Sequence, residues 1–153
     1  SGARRRRRPL EEVVVERNPR LADRLEELTA IAEGYRARKR AMAALDYADL
    51  LVEALGLLEG HERVRRRVSG AHRWVLVDEL HDVNPVQARL VEAIAGEGGN
   101  LVAVADPDQA IYGWRGADPE VVDRFAAVPG TRVFPLLTSY RSTPEIVALA
   151  QAV

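Results

Sequence analysis

The sequence predicts an α/β fold in which a small parallel sheet with flanking helices follows a purely helical segment. Three observations predict it. Short apolar runs at 74–77, 101–104 and 132–136 have strand length and end abruptly in polar residues. Stretches with helical spacing separate these runs, an order that implies parallel strands joined by right-handed crossovers. Before Trp74 no strand-like run occurs, and the apolar residues there recur at helical intervals.

In chain order, residues 1–9 hold the basic run Arg4 to Arg8 and read as a solvated, disordered tail. Leu10, Val13 and Val14 suit a short helix. Asn18 followed by Pro19 opens another, whose Leu21, Leu25, Leu28, Ile31 and Ala32 keep helical spacing to about Ala44, with a break or kink expected at Gly34. Asp46 caps a third helix through Leu57, and Glu59 to Val68 form a fourth. After the strand ending at Val77, Asn84-Pro85 starts a helix that stops at Gly96, and Gly98-Gly99-Asn100 turns into the strand Leu101 to Val104. Asp118-Pro119 opens a helix to about Ala126, Pro129-Gly130 makes a turn, and Arg132 to Leu136 form the third strand. Thr143 as cap and Pro144 in the first helical position start the last helix. The expected division is a helical segment over 10–70, an α/β part over 71–137, and a linker with one helix over 138–153. A three-stranded sheet with an uncovered edge invites self-association.

Composition narrows the class. At 153 residues the chain suffices for one core, and the absence of cysteine excludes disulfides and thiolate metal sites. The sequence shows no apolar run of membrane-spanning length and no signal-peptide-like start, so a soluble, cytoplasmic protein is expected. Arg-rich, Lys-poor usage suits a GC-rich bacterial genome. The net charge of −1 conceals an asymmetry: residues 1–73 carry 17 Lys and Arg against 12 acids, and the remainder carries 5 against 11. In the basic half, Arg63 and Arg65 to Arg67 read either as contacts to nucleic-acid phosphates or as a solvated helix face.

The strand at 74–77 runs into WVLVDELHD, with Asp78 and Glu79 at its carboxyl end. Mg²⁺ demands octahedral oxygen ligands and keeps most of its waters, so one such carboxylate holds the hydrated metal while its neighbour is free to act as a base. By itself the pair is a weak signal, since loops after any strand are rich in acids. The next strand delivers ADPDQAIYGWRGAD, with Asp106, Asp108 and Gln109 followed by Tyr112, Trp114 and Arg115. Active groups collect beyond the carboxyl ends of neighbouring parallel strands, which sets Gln109 beside Asp78 and Glu79. Two rings and a guanidinium in one short loop read as a platform for unpaired bases. The competing reading makes both rings core aromatics. A third segment, LLTSYRSTPEIV, brings Tyr140 and Arg141 to a loop before a helix, and arginine suits phosphate by its planar, permanently charged fork.

Taken in order, VDELHDVNPVQ, ADPDQAIYGWRGAD and LLTSYRS resemble motifs II, III and IV of the superfamily 1 DNA helicases of the UvrD/Rep/PcrA type. YRARKRAMAALDYADLL, from Tyr35 to Leu51, resembles the helical run that precedes motif II there. The resemblance implies a partial RecA-like, P-loop NTPase domain 1A over 71–137, with 10–70 in the 1B/1A region and 138–153 opening domain 2A. It implies ATP and Mg²⁺ as cofactors, with Asp78 and Glu79 on the metal, Glu79 polarising the attacking water and Gln109 sensing the γ-phosphate. Tyr140 would stack on adenine and Arg141 would contact the γ-phosphate as an arginine finger does. Tyr112 and Trp114 would lie against single-stranded DNA, with Arg115 linking that loop to the nucleotide. The implied partners are single-stranded DNA and the remaining helicase domains, with no membrane, and the implied activity is ATP-driven 3′ to 5′ translocation in DNA repair or recombination.

The chain departs from that pattern. Leu80 and His81 stand where the family has Phe-Gln, Val83 replaces Thr, Ala105 replaces Gly and Ser139 replaces Asn; His81 reads as a tolerated replacement. Ala105 matters if the backbone there needs the positive φ that glycine allows. No G-x-x-x-x-G-K-[ST] loop occurs, and the sole lysine, Lys39, lies in a helical stretch with no glycine loop before it. The expectation is therefore an internal fragment that lacks ATPase activity alone. Three further readings stay open: the motor part of a RecB- or AddA-like helicase-nuclease, a non-catalytic remnant that binds single-stranded DNA, and an inert fold or interaction module.

Overall fold

The computed structural model describes residues 10–152. The tail over 1–9, with Arg4 to Arg8, lies outside the described residues. The chain falls into two compact units, 1–50 and 51–153. No helix among the described residues is long and apolar enough to cross a membrane.

The first unit holds α1 (Leu10–Arg17), a 3₁₀ turn (Pro19–Arg24), α2 (Leu25–Ala41) and the start of α3 (Tyr47–Gly60). Pro19 sits at the first position of the 3₁₀ turn, where its missing N–H costs nothing. α2 runs through Gly34 without the expected break. A lone glycine costs about 1 kcal/mol in a helix interior, which good helix formers on both sides outweigh. The helix stops three residues earlier than its spacing predicts, because Ala43 takes a positive φ of 49°. Past this turn the Lys39 ammonium is clamped between two carboxylates, Asp46 at 2.7 Å and Asp49, while the Tyr35 hydroxyl donates to Asp46 at 2.9 Å. The Asp49 N–H donates to Asp46 Oδ1 at 2.8 Å and the Asp46 N–H to Asp49 Oδ2 at 3.2 Å, a reciprocal cap on the first turn of α3. The hydrogen bond from Lys39 holds both carboxyls below their usual range, and those same bonds, that to Asp46 first, raise the Lys39 pKa. The Tyr35 phenol is raised by its bond to Asp46.

The second unit holds the rest of α3, with Leu55 and Leu58 buried, then α4 (Glu62–Gly70), β1 (Trp74–Val77), α5 (Pro85–Ala95), β2 (Asn100–Ala103), α6 (Glu120–Ala126) and α7 (Pro144–Gln151). β1 and β2 form a two-stranded parallel sheet with Val75 opposite Leu101 and Val77 opposite Ala103. Asn84 opens α5 with a capping box: its side chain accepts from the Val86 and Gln87 amides at 3.0 Å, and the Gln87 side chain accepts from the Asn84 N–H at 2.9 Å. The helix ends at Gly96 with φ 71°, and a Cβ on Gly99 would fall 1.9 Å from the Ala95 carbonyl oxygen, so the turn into β2 requires glycine there. Leu80, Ala88 and Val121 make the core of this unit, with Val77, Val83, Ala105, Val122 and Phe125 packed against them. Leu80 of that core belongs to the turn following β1.

The third strand expected over Arg132 to Leu136 is absent: the segment is irregular, and Val133, Phe134 and Leu136 are exposed. β-propensity reflects packing against neighbouring strands, and among the described residues no strand pairs with this run; Pro135 within it also removes a ladder donor.

Candidate functional site

The site begins where β1 ends. The two strands extend their pairing past their last residues: the Val104 N–H donates to the Val77 carbonyl at 2.8 Å and the Leu80 N–H to the Val104 carbonyl at 3.0 Å. The residues that follow each strand are thereby carried side by side. Asp78 and Glu79 are exposed at this end, and the Asp78 carboxylate accepts from the Glu79 N–H at 3.0 Å. Glu79 adopts the left-handed conformation, φ 52° and ψ 46°, which costs a non-glycine residue roughly 1–2 kcal/mol. It then leads into a 3₁₀ turn, Leu80–Asp82, whose first two residues are buried.

His81 is the residue the sequence undervalues. Its ring is buried, at 1% exposure, and its Nδ1 accepts the Asp106 N–H at 3.0 Å. Its Nε2 lies 3.3 Å from Glu79 Oε2 and 3.7 Å from Asp82 Oδ1. One imidazole therefore touches the loop of Glu79 and the loop of Gln109 together. The available signal was its place beside the apolar Leu80 in a turn that packs beneath the sheet end.

The second loop is built on Asp106. Its carboxylate caps a 3₁₀ turn, Pro107–Gln109, by accepting from the Asp108 N–H at 3.2 Å, and it also accepts from the Gln109 side-chain amide. Ala105 has no positive φ and packs on the core, so the glycine of the helicase pattern is not needed for backbone shape here. A second 3₁₀ turn, Gly113–Arg115, follows. Trp114 is 80% exposed and Tyr112 stands at the margin of exposure, which removes the core reading for the tryptophan. Their ring centroids lie 6.4 Å apart at 57°, and the Arg115 guanidinium sits 5.4 Å from the Tyr112 centroid and 5.7 Å from that of Trp114. Arg115 is thus engaged with the rings. The Asp118 N–H donates to the Val83 carbonyl at 3.1 Å, returning this loop to the one after β1.

Tyr140 and Arg141 are not gathered into this constellation. They stand exposed in the loop before α7, Tyr140 at 95%. Ser139 is closer to a structural part, accepting from the Ser142 N–H at 3.3 Å. Among the described residues no group of three His, Asp or Glu side chains converges as a metal site. Mg²⁺ at nucleotide sites takes only one or two carboxylates and draws its remaining oxygens from water and phosphate, so the exposed Asp78 and Glu79 fit that ion as a pair. A hollow of about 290 Å³ lies elsewhere in the unit, lined by Glu59, Arg65, Arg89, Glu92 and Ala93, and contains none of these residues. In the basic run of α4, Arg65 and Arg66 pair with Glu62 at 2.6 and 2.9 Å, whereas Arg63 and Arg67 are exposed.

Comparison with known proteins gives a match of residues 7–128 to the UvrD/REP helicase N-terminal domain. The chain belongs to the UvrD/Rep helicase family. Among its relatives, the ATP-dependent DNA helicase UvrD2 of Mycobacterium tuberculosis H37Rv is 35% identical over 122 residues, covering 79% of this chain and 17% of that protein. The ATP-dependent DNA helicase Rep of Escherichia coli K12 is 38% identical over 117 residues, 76% of this chain and 17% of Rep. DNA helicase II of the same strain is 37% identical over 109 residues, 71% of this chain and 15% of that protein. The chain thus spans about one-sixth of the length of such relatives. The family match contains Asp78, Glu79, Gln109, Tyr112, Trp114 and Arg115 and ends before Tyr140 and Arg141, the two residues that stand apart in space.

Proposed function

We propose that this chain is the motif II to motif IV part of a RecA-like motor in an ATP-dependent DNA helicase, moving 3′ to 5′ on single-stranded DNA. The observation that carries this reading is the joining of the loops after β1 and β2 through His81, in a chain that belongs to the UvrD/Rep family. Asp78 would hold the hydrated Mg²⁺ of the nucleotide, and Glu79 would polarise the attacking water as its base. Gln109, tied to Asp106, reports the state of the terminal phosphate. Tyr112 and Trp114 take unpaired bases, with Arg115, which sits beside both rings, as the link to the nucleotide side. Tyr140 and Arg141 complete the site from the far side of the nucleotide once the domain that follows is in place. Mg²⁺ supplies charge neutralisation at the phosphates.

The 153 residues contain no phosphate loop, and Lys39 is held by Asp46 and Asp49. Its lysine and amides, and the domains 2A and 2B, come from the remainder of the helicase, so the isolated chain is inactive as an ATPase. The test is ATP hydrolysis by the full-length gene product with and without single-stranded DNA. Stimulated hydrolysis that falls in Asp78→Asn and Glu79→Gln supports the proposal; hydrolysis by the 153-residue chain alone contradicts it. The exposed rings at Trp114 and Tyr112 also favour a second reading, binding of single strands without turnover. That reading predicts DNA affinity and no hydrolysis in the full-length product. A cytoplasmic, DNA-associated location follows from either.

A further inference from the structure

We infer that His81 is a positioning residue, whose single imidazole holds the Glu79 carboxylate and the Asp106 loop in one arrangement; this rests on the reading of Glu79 as the base. The ring is 1% exposed, and its Nδ1 accepts the Asp106 N–H at 3.0 Å. A ring nitrogen that accepts carries no proton, so in the neutral imidazole the proton sits on Nε2, a tautomer assigned from the hydrogen-bond pattern. Nε2–H is then the one donor of the ring, and Glu79 Oε2 lies 3.3 Å and Asp82 Oδ1 3.7 Å from that nitrogen. Asp82 Oδ1 is buried and has no hydrogen-bond partner, and His81 Nε2 lies 3.7 Å from it.

The backbone supports the same role. Left-handed residues other than glycine persist where their surroundings over-determine them. Glu79 is followed by Leu80, 2% exposed and bonded to Val104, and by the pinned ring of His81. These two buried side chains fix the left-handed turn from its carboxyl side. The link continues to Gln109, whose side-chain amide donates to the Asp106 carboxylate and whose N–H donates to the Asp106 carbonyl at 3.0 Å. A displacement at Gln109 therefore reaches Glu79 through Asp106 and one ring. Glutamine offers a donor and an acceptor in one side chain and can bridge the same partners. Leucine fills the space and supplies neither.

The test uses the whole chain labelled with ¹⁵N. In the wild type, long-range ¹⁵N–¹H spectra of the imidazole show Nε2 protonated and Nδ1 bare, and the Asp106 amide exchanges slowly. His81→Gln keeps that slow exchange and His81→Leu loses it, with urea unfolding of each variant separating a local change from global destabilisation. Mn²⁺ alone, as a probe, broadens the Asp78 and Glu79 amides, and its affinity falls about tenfold in His81→Leu while His81→Gln restores it. An Nδ1-protonated ring overturns the inference, and that reading needs no variant to fold. Equal Asp106 exchange and equal Mn²⁺ affinity in the two variants overturn it as well. Absence of Mn²⁺ broadening in the wild type counts instead against Asp78 and Glu79 as the metal end, whereas the tautomer and the Asp106 exchange decide the bridge.

Discussion

At the scale of single residues, the backbone of Glu79 carries a testable cost. It adopts φ 52° where glycine would be unstrained. Glu79→Gly and Glu79→Ala both delete the carboxylate, so their difference reads the backbone alone. Urea unfolding should find the glycine variant more stable by about 1 kcal/mol. Equal stability would show that the turn relaxes. Trp114 makes a second case. A base stacked on an aromatic ring is worth roughly 1–3 kcal/mol, so Trp114→Ala should weaken binding of a labelled oligothymidine about tenfold in fluorescence anisotropy. An unchanged affinity would remove the platform role from this ring.

At the scale of elements, two helix starts are held by side chains in different ways. α5 begins with a reciprocal cap between Asn84 and Gln87. Asn84→Ala should destabilise the chain by about 1 kcal/mol in urea unfolding, because two orphan amides lose their acceptor. α3 begins with Asp46 and Asp49 closed around Lys39. Both carboxyls have folded pKa values below their ordinary range, so their contribution is complete above about pH 4 and is lost as pH falls through the folded values. Lys39 is raised, so its share holds below the ordinary lysine pKa and is lost as pH rises through the folded one. Urea unfolding followed by circular dichroism should show Lys39→Met less stable at neutral pH and with a shallower acid dependence than the wild type. A parallel acid profile would mean that the lysine does not hold the two carboxyls. Both starts were legible in the sequence, since Asn84-Pro85 and Asp46 are cap residues before apolar runs. The clamp on Lys39 was not legible, because it closes across a turn that only the positive φ of Ala43 creates.

At the scale of the whole molecule, the β1–α5–β2 unit was legible from two short apolar runs around a capped helix, and it places Asp78 and Asp106 at one sheet end. The third strand was not, since Arg132 to Leu136 has strand-like composition but no strand to pair with among the described residues. Likewise His81 read as a tolerated replacement, because burial depends on the packing of Leu80, Ala88 and Val121. One face of the sheet remains apolar and open: Trp74 is 57% exposed, Leu76 76% and Val102 45%. Such a patch promotes association. Leu76→Lys with Val102→Lys should reduce concentration-dependent association in sedimentation velocity, and unchanged association would move its origin elsewhere. The central claim is that Asp78, Glu79 and the loop after β2 form half of a helicase motor. The most direct measurement is unwinding, by the full-length gene product, of a duplex bearing a 3′ or a 5′ single-stranded tail, in the wild type and in Glu79→Gln. ATP-dependent unwinding of the 3′-tailed duplex alone, abolished in Glu79→Gln with DNA binding retained, is the predicted result; unwinding that persists in Glu79→Gln would contradict it.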